Sequence, residues 1–313
     1  MKFPFSLPSG RDFDVVGFGT NAVDFLIQVP HYPEFNSKVE LVDYTQAPGG
    51  EAATTMAGLR RLGLRSSYIG RFGDDPAGAF GMESLRQENV DLTYAEQVAG
   101  ARTQIAFIVI DARNGERTVI WQRDKRLAFA ENEAPLEAVR RASVLHFTPH
   151  DIKACTAMAK AAKECGTIVS SDIDNVFEGI EELLPHIDIL IMSAEFPAKL
   201  LGAGIEPRLA LRELQRQYGC GVVGVTLGER GSLLLCSGEF IETPGFAVPG
   251  GCRDTTGAGD AFRVGLIYGL LNDASVEEAA RMANGVAALK CRAIGARTAL
   301  PSEEELAELL KCF

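Results

Sequence analysis

The chain has 313 residues, of which 46% are hydrophobic and 23% are charged, and its formal net charge is −11. A chain of this length buries a large apolar core without metals or disulfides, and its acidic balance disfavours nucleic acid as a partner. No apolar run reaches the ~20 residues that a membrane helix needs, so we expect a cytoplasmic protein that binds neither nucleic acid nor membranes.

The cysteines fit the same compartment. They are odd in number and spaced singly, without a C-x-x-C pair. We therefore predict reduced thiols rather than a disulfide framework. They are Cys155, Cys165, Cys220, Cys236, Cys252, Cys291 and Cys312.

Short β-rich runs alternate with helical patterns from Asp14 onward. This βαβα rhythm favours one α/β domain, residues 1–313, with a mainly parallel sheet covered by helices on both faces. Strands are predicted at 15–19, 66–69, 144–147, 167–170, 187–192 and 222–226, and helices at 52–62, 78–89, 152–164 and 208–218.

Two stretches break the rhythm, because each reads as two strands without a helix between them. The first pairs 24–29 with 38–44, and the second pairs 104–111 with 118–122. The second turns through Asn114-Gly115, which is a strong hairpin signal. We expect these strands, within about 21–46 and 101–124, to form a small sheet that acts as a lid.

The most informative segment is DTTGAGDAF at 254–262, which opens an apolar helix. Glycines at a helix start leave several backbone N–H groups unobstructed, and such a turn binds anions. Asp260 on the first turn can accept the proton of a hydroxyl while those N–H groups stabilise a phosphoryl group. A bare G-x-G-D sequence would favour a plain capped helix; nine consecutive residues favour the chemical interpretation.

These nine residues resemble the C-terminal signature of the ribokinase/PfkB carbohydrate-kinase family. Residues 49–54, 70–78, 225–231 and 283–296 are similar to other family segments, in the same order. The resemblance spans about 14–302. It implies a ribokinase-like three-layer α/β/α sandwich with a small β-sheet lid, and the use of ATP with Mg²⁺.

The resemblance assigns the chemistry to the signature. Asp260 is the implied general base, and the amides of Gly257, Ala258 and Gly259 form the implied anion hole. The nucleotide would lie against Thr226, Gly228 and Gly231, against Asn284 and Gly295, and near Arg117 of the lid hairpin. Each group has a structural alternative. The first could be a plain tight turn, Asn284 and Gly295 could serve helix packing, and Arg117 could be an exposed hairpin charge.

The acceptor side is implied at Asp24, Gly50, Glu51 and Thr54. A carboxylate accepts from paired hydroxyls, so Asp24 suits a sugar. Glu51 and Thr54 stand where ribose and fructose kinases carry amide or lysine side chains, so the acceptor pocket differs from theirs. A cationic acceptor is one hypothesis; a phosphorylated sugar is disfavoured unless Arg71, Arg102 or Arg123 reaches it.

The resemblance also implies two ion sites. Glu195 would hold Mg²⁺ through water, and Asp254 and Thr256 would contribute to a monovalent-cation site that takes K⁺. Ala299 replaces a hydroxyl residue of ribokinase in the second half of that site, so K⁺ dependence is a hypothesis.

We therefore expect an ATP-dependent kinase that phosphorylates a hydroxyl of a sugar-like molecule and dimerises through its lid. Alternatives are a nucleoside kinase of the same fold, for which Phe18, Phe25 and Tyr44 could offer a stacking surface, and a non-catalytic metabolite sensor. A dinucleotide-binding oxidoreductase is disfavoured, because Gly17-Phe18-Gly19 is not followed by a third glycine that opens a helix.

Overall fold

The computed structural model describes residues 1–311. The strands of this range are β1 (Phe13–Phe18), β2 (Ala22–Val29), β3 (Asp43–Gly49), β4 (Ser66–Gly73), β5 (Ala95–Val98), β6 (Ile105–Asp111), β7 (Arg117–Gln122), β8 (Ala142–Phe147), β9 (Ile168–Ile173), β10 (Ile189–Ser193), β11 (Val222–Thr226), β12 (Ser232–Cys236) and β13 (Glu239–Thr243). Its α-helices are α1 (Glu51–Arg61), α2 (Pro76–Gln87), α3 (Leu136–Arg140), α4 (Ile152–Cys165), α5 (Ile180–Leu183), α6 (Phe196–Leu201), α7 (Pro207–Tyr218), α8 (Ala258–Leu271), α9 (Val276–Lys290) and α10 (Glu303–Lys311).

The large sheet has nine strands in the order β13-β12-β11-β10-β9-β8-β1-β4-β5. Pairing is parallel from β11 to β5 and antiparallel at β12 and β13. The six strands predicted from the βαβα rhythm all lie in this sheet, which confirms the mainly parallel arrangement. The β12–β13 hairpin was not predicted.

Both faces of the sheet are covered, which makes the predicted three layers. One core packs α1, α8 and α9 on one face, with Met56, Val264 and Val286 fully buried. The other packs α4 and α7 on the opposite face, with Met158 and Leu214 fully buried. Every residue of β8 is buried, as expected for a parallel strand between two helical layers.

The lid is a four-stranded sheet in the order β3-β2-β6-β7. Its two hairpins join through parallel pairing of β2 with β6. The predicted strand at 38–44 is wrong, since β3 begins at Asp43 and extends to Gly49, beyond the predicted limit of 46. Pro48 made this stretch a poor strand candidate, but β3 is an edge strand, where a missing N–H is tolerated.

Within residues 1–311, no helix combines the length and the apolar character needed to cross a membrane. Six of the seven cysteines are free thiols, as predicted. Cys312 lies outside the described residues.

Candidate active site

The signature turn forms the start of α8. Gly257 is the N-cap and has φ +78°, a conformation that favours glycine. A Cβ on Gly257 would lie 2.9 Å from Ala296, so a side chain is also excluded by space. Within residues 1–311, the amides of Gly257, Gly259 and Asp260 donate to no protein acceptor. The amide of Ala258 differs from expectation, since it donates to the Thr255 carbonyl at 3.1 Å.

Asp260 lies beside these amides, as predicted, on the first turn of α8. The residue is only 9% exposed. Burial raises its pKa well above the usual range, the charges of Asp172 and Glu51 raise it further, and Arg263 and Arg117 oppose them. A carboxylate with raised proton affinity is a better general base.

A buried ion pair between Arg263 and Asp172 stabilises this turn. The Arg263 guanidinium lies 2.5 Å from the Asp172 carboxylate and is 3% exposed. It also donates to the Gly259 carbonyl at 3.0 Å and to the Ile191 carbonyl at 3.1 Å. Burial raises the pKa of Asp172 to about 7, although Arg263 opposes that rise. Sequence reasoning missed both residues, although an arginine within the apolar run of α8 was a signal.

Glu51 is the first residue of α1 and lies near Asp260. Its carboxylate is 3.3 Å from Nε2 of His150. Burial raises the pKa of Glu51, but the hydrogen bonds of His150 and Thr148, together with the charges of His150 and Arg263, lower it overall. The charges that act on Asp24 are those of Arg297 and Asp254, whereas the charge of Glu51 acts on Asp260.

On the acceptor side, Asp24 lies on β2 and is 4% exposed. Burial raises its pKa to about 7, against the charge of Arg297. A Cβ on Gly49 would come within 2.0 Å of its carboxylate, so glycine is required there. Gly50 has φ +88°, and a Cβ there would come within 2.4 Å of the backbone of Asn21. Within the described range the Asp24 carboxylate has no hydrogen-bond partner, which leaves it available to a ligand.

Arg297 is a residue that sequence reasoning missed. It is 4% exposed and donates to Thr54 Oγ1 at 3.3 Å and to the Gly49 carbonyl at 2.5 Å. The hydroxyl of Thr54 is therefore engaged with a cation rather than simply facing the acceptor. The signal was a charged residue in the mostly apolar loop after Gly295.

The arginines considered for a phosphorylated acceptor are largely committed. Arg71 pairs with Glu96 and Glu133, and Arg123 makes a two-bond pair with Asp151. Neither guanidinium is free to bind an added phosphate without breaking these pairs. The backbone amide of Arg102 donates to the Asp124 carboxylate at 3.0 Å.

The nucleotide-side residues lie in two groups. Gly228 (φ +62°) and Gly231 (φ +94°) shape the turn after β11, which ends at Thr226. Asn284 donates to Ser232 Oγ and to the Thr243 carbonyl, both at 3.2 Å, so its amide hydrogens brace α9 against the β12–β13 hairpin. This contact favours the helix-packing alternative for Asn284.

Arg117 reaches from the first residue of β7 to the signature, where its Nη1 donates to Thr255 Oγ1 at 2.7 Å. The lid thus brings a positive charge to the turn that carries the base. Trp121 of the same strand shares the face of Asp24 and Ala106 and contacts the ring of His150, with centroids 6.0 Å apart.

The resemblance implies two ion sites. Glu195, the residue implied for Mg²⁺, is exposed in the turn between β10 and α6. Asp254 is fully buried, and all three of its oxygens accept hydrogen bonds at 2.8 Å: from the amides of Thr256 and Gly295 and from Nζ of Lys290. Thr256 Oγ1 is buried and has no partner among residues 1–311.

Comparisons with known proteins agree with this geometry. Residues 13–303 match the profile of the pfkB family carbohydrate kinases. The chain is 31% identical to the probable chloroplastic fructokinase-6 of Arabidopsis thaliana, covering 95% of this chain and 82% of that protein. It is 27% identical to a nucleoside kinase of Methanothermobacter thermautotrophicus, covering 94% of each. The structure of Arabidopsis thaliana ribokinase with ribose and ATP superposes with a TM-score of 0.80 at 25% identity, over 96% of this chain and 99% of that one.

Proposed function

Because the chain belongs to the pfkB family of carbohydrate kinases, we propose that it transfers the γ-phosphoryl group of ATP to a hydroxyl of a sugar or sugar-like acceptor, with Asp260 as the general base. The observation that carries this proposal is the placement of Asp260 beside the free amides of Gly257 and Gly259. Related kinases of both sugars and nucleosides support phosphoryl transfer as the reaction.

In the proposed step, Asp260 takes the proton of the acceptor hydroxyl as its oxygen forms a bond to the γ-phosphorus. The bond between that phosphorus and the β–γ bridging oxygen breaks, and ADP leaves with the electron pair. The amides of Gly257, Gly259 and Asp260 stabilise the charge on the transferring group. The raised pKa of Asp260 matches the need to hold the proton after transfer.

Mg²⁺ is the metal we propose for the nucleotide. The oxygen ligands that Mg²⁺ prefers are offered by the phosphates and by water, with few protein groups needed. Glu195 is exposed at the carboxyl edge of the parallel strands and can accept from metal-bound water there. When bound, the ion neutralises charge on the β- and γ-phosphates.

The lid supports the reaction by closing over it. Arg117 already contacts the signature at Thr255. The inner face of the lid is apolar, with Leu26, Ala47 and Ile108 buried near Ile294. Such a surface excludes water, which would otherwise compete with the acceptor for the phosphoryl group.

A sugar-like acceptor is favoured over a nucleoside. Phe25 stacks on Phe107 with ring centroids 5.0 Å apart, and Tyr44 stacks on Phe25 at 6.3 Å. Because β2 residues alternate between faces, Phe25 lies on the face opposite Asp24 and Leu26. Phe18 packs in the core against Phe129. The predicted stacking surface for a base is therefore not next to Asp24.

A nucleoside kinase remains the second candidate, because the Methanothermobacter thermautotrophicus protein is similar over almost the whole chain. Parallel assays separate the two candidates. The purified protein is incubated with Mg·ATP and a panel of free sugars, amino sugars and nucleosides, and ADP release is measured. We expect turnover with a sugar-like compound; turnover with nucleosides alone would favour the second candidate, and none with any compound would favour a sensor.

We also propose a homodimer formed through the outer face of the lid. This face exposes Phe107 (41%), Ile120 (58%) and Tyr44 (51%). Contiguous exposed apolar side chains of this size mark an interface. We place the protein in the cytoplasm, because the six described cysteines are free thiols.

A further inference from the structure

A lysine ammonium lies in the interior beside the signature. Lys290, the last residue of α9, is 0% exposed, and its Nζ donates to the Asp254 carbonyl at 2.8 Å. The same nitrogen is 3.8 Å from the Asp254 carboxylate. A fully buried lysine is rare without a counter-charge, and here the counter-charge is also fully buried.

Each oxygen of Asp254 already accepts one hydrogen bond. Its carboxylate oxygens accept from the amides of Thr256 and Gly295, and its carbonyl accepts from Lys290. The Lys290 ammonium lies beside both the carbonyl and the carboxylate of Asp254, so its charge would repel a second cation such as K⁺ at the same place. The residues present therefore do not fit the K⁺ site that the family resemblance implies.

The Lys290 ammonium lies beside Asp254, which connects two segments of the site. Asp254 joins the signature turn to the loop after α9, through Thr256 on one side and Gly295 on the other. That loop continues to Ala296, whose atoms limit the space at Gly257. A charge that neutralises Asp254 thus holds together the two segments that shape the anion hole.

We propose that the Lys290 ammonium is a built-in monovalent cation, which replaces a bound K⁺ and makes the protein independent of monovalent ions. Burial lowers the pKa of Lys290, and the charge of Asp254 is the largest influence that opposes this effect. The inference rests on the proposed function only for the role of the anion hole. Its structural part is tested without turnover.

The test compares thermal unfolding in KCl and in tetramethylammonium chloride at equal ionic strength. We expect the wild-type Tm to differ by less than about 1 °C between the salts. Lys290→Ala removes the charge and leaves space, so its Tm should fall by about 5 °C or more in tetramethylammonium chloride and recover at least half of that loss in KCl or NH₄Cl. Lys160→Ala, which removes an exposed lysine of α4, is the matched control and should show no salt preference.

The affinity for AMP-PNP with Mg²⁺, measured by calorimetry, should follow the same pattern. Wild-type protein stabilised several degrees by K⁺, or a Lys290→Ala variant that no cation restores, would overturn the proposal. A variant that folds in neither salt also counts against it, because an added cation should replace the ammonium. Failure of the acceptor screen would leave these results unaffected, so the two proposals fail separately.

Discussion

The guanidinium of Arg263 lies 2.5 Å from the carboxylate of Asp172. Arg263 is on α8, three residues after the proposed base, Asp260. The pair joins the start of α8 to the end of β9, and the bond from Arg263 to the Gly259 carbonyl fixes the peptide that leads into Asp260. Arg263 therefore acts as a positioning residue for both the base and the anion hole.

Loss of the Arg263 charge should move the pH dependence of the reaction. Arg263 holds the pKa of Asp260 down, so Arg263→Met should raise that pKa and shift the acidic limb of the kcat/KM profile to higher pH. We also expect kcat to fall by about tenfold or more. Steady-state rates from pH 5 to 9 measure both effects.

Asp172→Asn is the informative counterpart, because it removes a negative charge that raises the pKa of Asp260. The acidic limb should then move to lower pH. Arg216→Met, which removes an exposed arginine of α7, should leave the profile unchanged. A common direction of shift for the Arg263 and Asp172 variants would contradict the electrostatic account.

The ionised carboxylate of Asp24 should bind the acceptor and also lower the stability of the folded protein. Its pKa is about 7 in the folded protein and ordinarily 3.8, so the unfolded chain loses this proton first as pH rises. Stability is therefore lost between about pH 4 and pH 7. Asp24→Asn avoids that loss, so its Tm should exceed the wild-type Tm at pH 8 and match it near pH 4.

The same variant should raise the KM for the acceptor about a hundredfold, because an amide has no charge and offers one acceptor oxygen where the carboxylate offers two. Calorimetry at the two pH values and acceptor kinetics supply the measurements. An Asp24→Asn protein with unchanged acceptor KM would remove Asp24 from the proposed acceptor site.

Gly257→Ala should cost more than backbone strain alone. Gly166, the C-cap of α4, has φ +74° and open space where an added methyl group would lie, whereas a methyl group on Gly257, at φ +78°, would meet Ala296 at 2.9 Å. We expect Gly166→Ala to cost about 1 kcal/mol in the free energy of unfolding and to leave activity intact. Gly257→Ala should cost more and lower kcat by about a hundredfold. Equal effects of the two substitutions on kcat would argue against an anion hole at Gly257.

The outer face of the lid should control assembly. Phe107→Arg places a charge in the exposed aromatic cluster with Phe25 and Tyr44, so a dimer formed there should dissociate. Light scattering at micromolar concentration gives the mass. Leu209→Arg on α7 exposes a charge at a comparably open apolar position and should keep the wild-type mass. A Phe107→Arg protein that stays dimeric would place the interface elsewhere.

The parts of the structure that sequence predicts best are local. The strand Val222–Thr226 matches its prediction at both ends. The turn at Gly257 is predicted by the nine adjacent residues of the signature. The β3 boundaries were missed because Pro48 weakens the strand signal and pairing with β2 decides the outcome.

The parts that sequence could not supply are contacts across long separations. Lys290 meets Asp254 over 36 residues and Arg297 meets Thr54 over 243. Nothing in the local pattern says which buried charge finds which partner, because the partner is set by how the layers pack. The placement of Glu51 near Asp260 has the same origin.

The central claim is that Asp260 is the base for phosphoryl transfer, and one pair of measurements tests it most directly. Single-turnover transfer from Mg·ATP to the acceptor found in the screen is compared for wild type and Asp260→Asn, alongside AMP-PNP affinity. We predict that the variant binds the nucleotide within about threefold of wild type and transfers at least about a thousandfold more slowly. Transfer within tenfold of the wild-type rate would contradict the account.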